Sequence, residues 1–220
     1  MTSCVEDNQL ISEPENFTLE LPDFSIITLD FPANVIITKG AVQSININAQ
    51  PEVFDAITKT VTDDEWLIDL VNFNDGFESV TIEITMPTIN GLHTTSTGDI
   101  QVQDQFDRVE LLDLSVQSTG SIQHQGDAQQ IDLLINGTGD VTLAGEADFL
   151  NARLNSTGSL AAFDLSTQEV VLISSSTGDA EIRVAQRLEV TMTSTGDVMY
   201  KGNPQIISNI SGTGELINEN

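Results

Sequence analysis

One tripeptide constrains this chain more than any other feature. Ser-Thr-Gly or Gly-Thr-Gly closes at Gly98, Gly120, Gly139, Gly158, Gly178, Gly196 and Gly214, at spacings of 22, 19, 19, 20, 18 and 18 residues. A single match is commonplace. Seven in near-constant register mark a structural repeat in which each unit adds one turn of a solenoid. The register extends beyond the tripeptide. Two residues after each glycine stand Ile100, Ile122, Val141, Leu160, Ala180, Val198 and Leu216, all apolar. Six before stand Leu92, Leu114, Leu133, Ala152, Leu172 and Val190, with Ser208 the exception. Four before stand Val116, Ile135, Leu154, Met192 and Ile210, with Thr94 and Ser174 the exceptions. An even step from −6 to −4 is the period of a strand with one buried face.

A unit of 18–22 residues cannot bury these side chains alone. Stacked at strand spacing, ~4.8 Å, successive units align them into internal ladders, and neighbouring coils pair as parallel strands. The expected fold is all-β: a right-handed parallel β-helix with about seven regular coils over 91–220 and less regular strands before them. At the corner, glycine is expected to supply a positive φ. The threonines before it (Thr97, Thr119, Thr138, Thr157, Thr177, Thr195 and Thr213) are expected to form a hydroxyl ladder on corner backbone groups. No Leu-x-x-Leu-x-Leu pattern recurs, and a propeller blade needs about twice this period.

Residues 1–16 carry acids and a proline without periodicity and read as a tether. Residues 17–90 read as irregular strands continuous with the coils, so 17–220 forms one domain. The expected strands are Phe17–Leu21, Ser25–Asp30, Asn34–Lys39, Gln43–Asn48, Trp66–Val71 and Val80–Met86, several alternating apolar and polar residues. Turns are expected at Lys39-Gly40, Thr62-Asp63-Asp64 and Asn74-Asp75-Gly76. Residues 52–60 fit either a short helix or an irregular link.

Thirty-four acids against seven Lys plus Arg give a net charge of −27, which repels nucleic acid and anionic membranes alike. No apolar run is long enough to cross a membrane. The single cysteine, Cys4, excludes an intramolecular disulfide. Small residues precede it and a polar stretch follows, as at the acylated cysteine of a bacterial lipoprotein, although no apolar leader stands before it. A lipid anchor and an incidental free thiol are the two readings.

The segment from Phe24 to Gly40, the segment Val42–Ala49 and the Ser-Thr-Gly-Asp ladder together resemble the head GIN domain of the family called putative autotransporter adhesins, over residues from about 22 to 216. The resemblance implies an exported or cell-surface bacterial β-helix, often a lipoprotein. It supplies no catalytic residues. This chain departs from it in being unusually acidic.

After each ladder glycine stand Asp99, Ser121, Asp140, Ser159, Asp179, Asp197 and Glu215. Asp179, Asp197 and Glu215 fall on consecutive coils and are the candidate seat for a metal, Ca2+ being the cation that suits such oxygens. The alternative is an exposed turn whose backbone Asp suits. No other cofactor is implied. His124 falls at the +4 ladder position with Val102, Leu143 and Ile182, and reads as a core residue; His93 reads as solvated. Trp66 reads as core, and Tyr200 as a ladder or cap residue. Arg183 and Arg187 read as partners of nearby acids such as Glu181 and Glu189. The function expected is non-catalytic binding or adhesion to a surface glycan or protein. The alternatives are a polysaccharide-active enzyme, which needs carboxylates beside an arginine in a groove, and a structural envelope protein.

Overall fold

The stretches between tripeptides fold as one long strand or a pair of short ones. The computed structural model describes residues 12–73 and 75–220. Its N-terminal elements are β1 (Glu15–Leu19), β2 (Ile26–Leu29), β3 (Ala33–Lys39), β4 (Ser44–Ala49), α1 (Pro51–Ala56), β5 (Val61–Thr62), β6 (Glu65–Ile68) and β7 (Val80–Met86). The coils follow as β8 (Gly91–Thr94), β9 (Asp99–Val102), β10 (Phe106–Val116), β11 (Ile122–Ile135), β12 (Val141–Leu154) and β13 (Leu160–Ser174). They end with β14 (Ala180–Met192), β15 (Val198–Lys201), β16 (Gln205–Ile210) and β17 (Leu216–Asn218). The expected parallel β-helix is the fold observed.

Rungs of the helix form two runs. On one face the order is β6, β2, β8, then the C-terminal halves of β10 to β14, then β16, all parallel. On the other, β1, β4 and β7 pair antiparallel. Parallel rungs follow through β3, β9, the N-terminal halves of β11 to β14, then β15 and β17. Space does not follow chain order at the start, where β2 inserts between β6 and β8. The antiparallel strands and the β5–β6 pair blunt the N-terminal end, which would otherwise present a ladder of unpaired backbone groups.

The expected ladders are buried. Leu92, Leu114, Leu133, Ala152, Leu172 and Val190 stack at one inward position, and Val116, Ile135, Leu154 and Met192 at the next. Each fully buried aliphatic side chain contributes about 1.5–3 kcal/mol relative to exposure. The exceptions Thr94 and Ser174 are buried too, and bonded locally: Thr94 Oγ1 donates to Gly98 O (3.1 Å), and Ser174 Oγ accepts from Ser176 N (3.3 Å). The ladders give out in the last coil, where Ser208 and Ile210 are exposed and Leu216 is half-buried, because no further coil among the described residues covers them.

Two corner expectations require correction. The ladder glycines do not have positive φ; among the described glycines only Gly145 and Gly202 do. Their requirement is close approach. A Cβ at Gly120, Gly139, Gly196 or Gly214 would collide with the carbonyl oxygen of the ladder glycine one coil earlier. The threonine hydroxyls are not the corner ladder either, because all seven threonines face solvent. Corner N–H groups donate to the first residue of the preceding tripeptide, as Gly139 N does to Ser118 O and Gly214 N to Ser194 O (both 3.1 Å). Where hydroxyls help, they belong to that first residue. Ser96 Oγ and Ser176 Oγ accept from Gly98 N (3.1 Å) and Gly178 N (3.0 Å), and Ser176 Oγ also donates to Gly158 O (3.1 Å).

Strand bounds shift at the N-terminal end. β1 begins at Glu15, inside the segment read as a tether, and the Trp66 strand ends at Ile68 rather than Val71. The open choice over 52–60 resolves as α1, with Pro51 at its start and Glu52 in its first turn. No described helix is long and apolar enough to cross a membrane.

Candidate functional site

The acidic stripe is built into the backbone. Asp99 Oδ1 accepts from Ser121 N (2.8 Å) and Ser121 Oγ (2.7 Å). Asp140 accepts from Ser159 N, Asp179 from Asp197 N, and Asp197 from Glu215 N, each at 2.8 Å. Each carboxylate thus caps the N–H at the same position one coil onward, a charge-assisted bond stronger than a neutral one. Asp179, Asp197 and Glu215 do fall on consecutive coils; the two aspartate carboxylates are engaged in this way, and Glu215 enters through its backbone N–H. Among the described residues no group of three or more His, Cys, Asp or Glu side chains is placed to hold a metal ion. Cys4 lies outside the described residues.

The remaining candidates separate. Trp66 is fully buried and its indole N–H donates to Thr58 O (3.0 Å). Tyr200 is buried at the +4 ladder position opposite Ile182. His124 is buried in register with Leu143, its Nδ1 lacks a hydrogen-bond partner, and desolvation lowers its pKa to about 4. His93 is partly covered rather than freely solvated: Nδ1 lies 3.1 Å from Thr28 Oγ1, and Nε2 lies 3.3 Å from Asp113. Arg187 pairs with Glu189 (2.6 Å) and Glu169 (3.8 Å). These two carboxylates and their arginine sit on the outer face of the sheet, where they are mutually tied. Arg183 does not pair with Glu181; its Nε donates to Phe163 O (2.7 Å).

A cleft of about 490 Å³ opens where β3 and β7 begin, beside the first tripeptide corner. Asn34, Asp75, Phe77, Glu78, Ser79 and Thr97 contribute to its wall. Phe77 is held edge-on by Phe31 (6.0 Å between centroids) and by Phe73 (5.9 Å), the preferred aromatic geometry. Phe31 belongs to the core, so the half-exposed ring of Phe77 is fixed from beneath. Gln50 Oε1 accepts from Glu78 N (3.1 Å) and pins the loop before β7 at that carboxylate. The cleft therefore combines a braced aromatic residue and Pro32 with carboxylate, amide and hydroxyl residues in one wall. Its described wall includes no Lys, Arg or His, which disfavours anionic ligands. Sequence reasoning took Asn74-Asp75-Gly76 as a turn and passed over the phenylalanine after it. The available signal was an aromatic beside two acids in a chain with only nine Phe, one Trp and one Tyr.

A family model described as "Putative auto-transporter adhesin, head GIN domain" matches residues 23–204. No curated protein matches this sequence. A "putative adhesin" from Bacteroides fragilis superposes with a TM-score of 0.87 at 22% identity, covering 94% of this chain and 97% of that one. A "putative lipid binding protein" from Parabacteroides distasonis superposes at 0.75 and 18% identity, with 94% and 96% covered. A second "putative adhesin", from Parabacteroides merdae, superposes at 0.74 and 14% identity, with 94% and 95% covered. At these identities the likeness shows a shared fold.

Proposed function

This chain belongs to the family described as "Putative auto-transporter adhesin, head GIN domain", and on that premise we propose that it is a non-catalytic binding module of the bacterial envelope. Its ligand on this reading is a neutral surface glycan, held in the Phe77 cleft. The observation that carries the proposal is the fixed ring of Phe77 framed by Asp75, Glu78, Asn34 and Thr97. A sugar presents an apolar ring face and a rim of hydroxyls, and sites of this kind pair an aromatic wall with a few placed polar groups. Carboxylates and amides accept and donate to such hydroxyls. The lack of a cation in the described wall favours neutral sugars over acidic ones.

Retention on immobilised neutral polysaccharides tests this directly, with Phe77→Ala as the decisive variant. Its expected outcome is lost retention with an unchanged circular dichroism spectrum and no released fragments. Equal retention by parent and variant would place binding elsewhere, and fragment release would establish an enzyme. Running each arm with Ca2+ and with chelator tests whether Asp179, Asp197 and Glu215 serve a cation. The proposal also includes a lipid anchor on Cys4, resting on the small residues before it and the polar stretch after it. Metabolic fatty-acid labelling of the expressed protein, lost in Cys4→Ser, is the result expected.

A further inference from the structure

The last coil ends in two outermost strands, β17 on one face and β16 on the other. After β17, Asn220 forms two 2.7 Å bonds with the backbone of Gly202, and Glu219 N donates to Tyr200 O (2.9 Å). Exposed Glu215 and Glu219 flank β17 and charge that rim. On the other face, β16 pairs with β14 and with no other described strand. All six of its residues are exposed, including Ile206 (39%), Ile207 (49%) and Ile210 (42%). No charged residue occurs from Gly202 to Gly214, in a chain of net charge −27. Natural edges are usually blunted by charge, proline or cover; this one has none of these along the strand.

We infer that β16 is a self-association edge, and that two copies of this chain join by pairing β16 with β16 in antiparallel register about a two-fold axis through Ser208. The side-chain order selects both the partner and the register. Ile206, Ser208 and Ile210 lie opposite the buried Leu188, Val190 and Met192, so they point along the core ladders. Gln205, Ile207 and Asn209 lie opposite Arg187, Glu189 and Thr191 and point outward. Residues directly opposite in an antiparallel pair share a face. An axis at Ser208 places Ile206 opposite the partner's Ile210, Ser208 opposite itself, and Ile207 opposite the partner's Asn209. Inward residues then meet inward residues, and the two cores become continuous. A slip of one residue would set isoleucines against outward amides.

Charge and topology favour a second copy joined end to end. Head-to-tail growth would need β1 or β5, the outermost N-terminal strands, as acceptor; β1 opens on Glu15 and Asn16 and β5 has two residues, so neither matches the six uncharged residues of β16. A two-fold contact closes on itself. It also points the two acidic bodies away from each other, which lowers their repulsion. Residual repulsion is screened by salt, so association strengthens as ionic strength rises.

Sedimentation of the full chain at rising protein concentration and salt tests this. The mass expected shifts from 23.8 kDa to twice that value. Ile207→Lys, an outward substitution that leaves the core untouched, restores the single-chain mass, whereas Val42→Lys at another exposed position does not. In a Cys4→Ser background, Ser208→Cys forms an interchain disulfide, since paired Cα atoms lie ~4.5–5.5 Å apart, within disulfide range. Asn209→Cys does not, because it faces the partner's Ile207. A mass of 23.8 kDa at about 100 µM and high salt overturns the inference. So does a dimer that survives Ile207→Lys or cross-links only through Asn209→Cys.

Discussion

Replacing His124 with leucine should remove a defined part of this protein's acid sensitivity. The imidazole sits in a ladder between aliphatic neighbours, in register with Leu143, with its Nδ1 unpaired. Its ring lies over Gly126, where an added Cβ would come within 2.8 Å of Nε2. Burial disfavours the charged form and lowers the pKa from 6.5 to about 4. Above pH 6.5 neither the folded nor the unfolded chain holds the proton, so stability is independent of this group. Below it the unfolded chain binds a proton that the folded chain refuses, and stability falls by about 1.4 kcal/mol per pH unit until pH approaches 4. From pH 7.5 to pH 5 the loss is about 2 kcal/mol. That range stays above the pI of about 4.1, where precipitation would intrude. Urea unfolding followed by far-ultraviolet circular dichroism, on parent and His124→Leu at both pH values, isolates the contribution. Every other acid and base is common to both proteins and cancels in the difference. The variant should be the more stable at pH 7.5, because an orphaned polar atom leaves the core, and its advantage should widen by about 2 kcal/mol at pH 5. An advantage unchanged between the two pH values would show that the ring is protonated in the folded state, refuting its burial among apolar neighbours.

Gly139→Ala places a Cβ against the carbonyl of Gly120 and should cost on the order of 3 kcal/mol, read as a fall in melting temperature, whereas Gly76→Ala meets open space and should be neutral. Asp197→Ala strips the acceptor from Glu215 N and should cost about 1 kcal/mol, while Asp197→Asn keeps an acceptor, removes one negative charge, and should equal or exceed the parent in thermal unfolding. Ser176→Ala removes a buried hydroxyl bonded to Gly178 N, Ser156 O and Gly158 O, and should cost about 1–3 kcal/mol in urea unfolding; a smaller effect would show that Ser176 is not what satisfies the corner.

The solenoid was legible because its two constraints are local and recur. Inward positions must be apolar, and corner glycines must repeat, so Leu133, Ile135, Gly139 and Val141 announce one coil by themselves. What a glycine is for was not legible. A positive φ and a close backbone approach select the same residue, and only stacking shows that Gly139 lies under the carbonyl of Gly120. The hydroxyl role was misassigned for a similar reason, since Ser and Thr of the tripeptide differ only in which one the turn directs inward. At the N-terminal end, alternation in β2, β4 and β7 marks strands without saying whether they pair parallel or antiparallel. The insertion of β2 between β6 and β8 depends on contacts far apart in the chain. The Phe77 cleft needed three aromatic residues from two separate loops to meet. Acidity, the loudest feature of the composition, proves to be two things. The ladder carboxylates of Asp99, Asp140, Asp179 and Asp197 are spent on backbone N–H groups of the next coil, which selects Asp at that position without any ligand. Asp75 and Glu78 stand off the ladder, beside an aromatic residue, where no such bond among the described residues accounts for their charge. A carboxylate stripe in a solenoid is therefore weak grounds for a binding site, and an acid that breaks the repeat is stronger grounds.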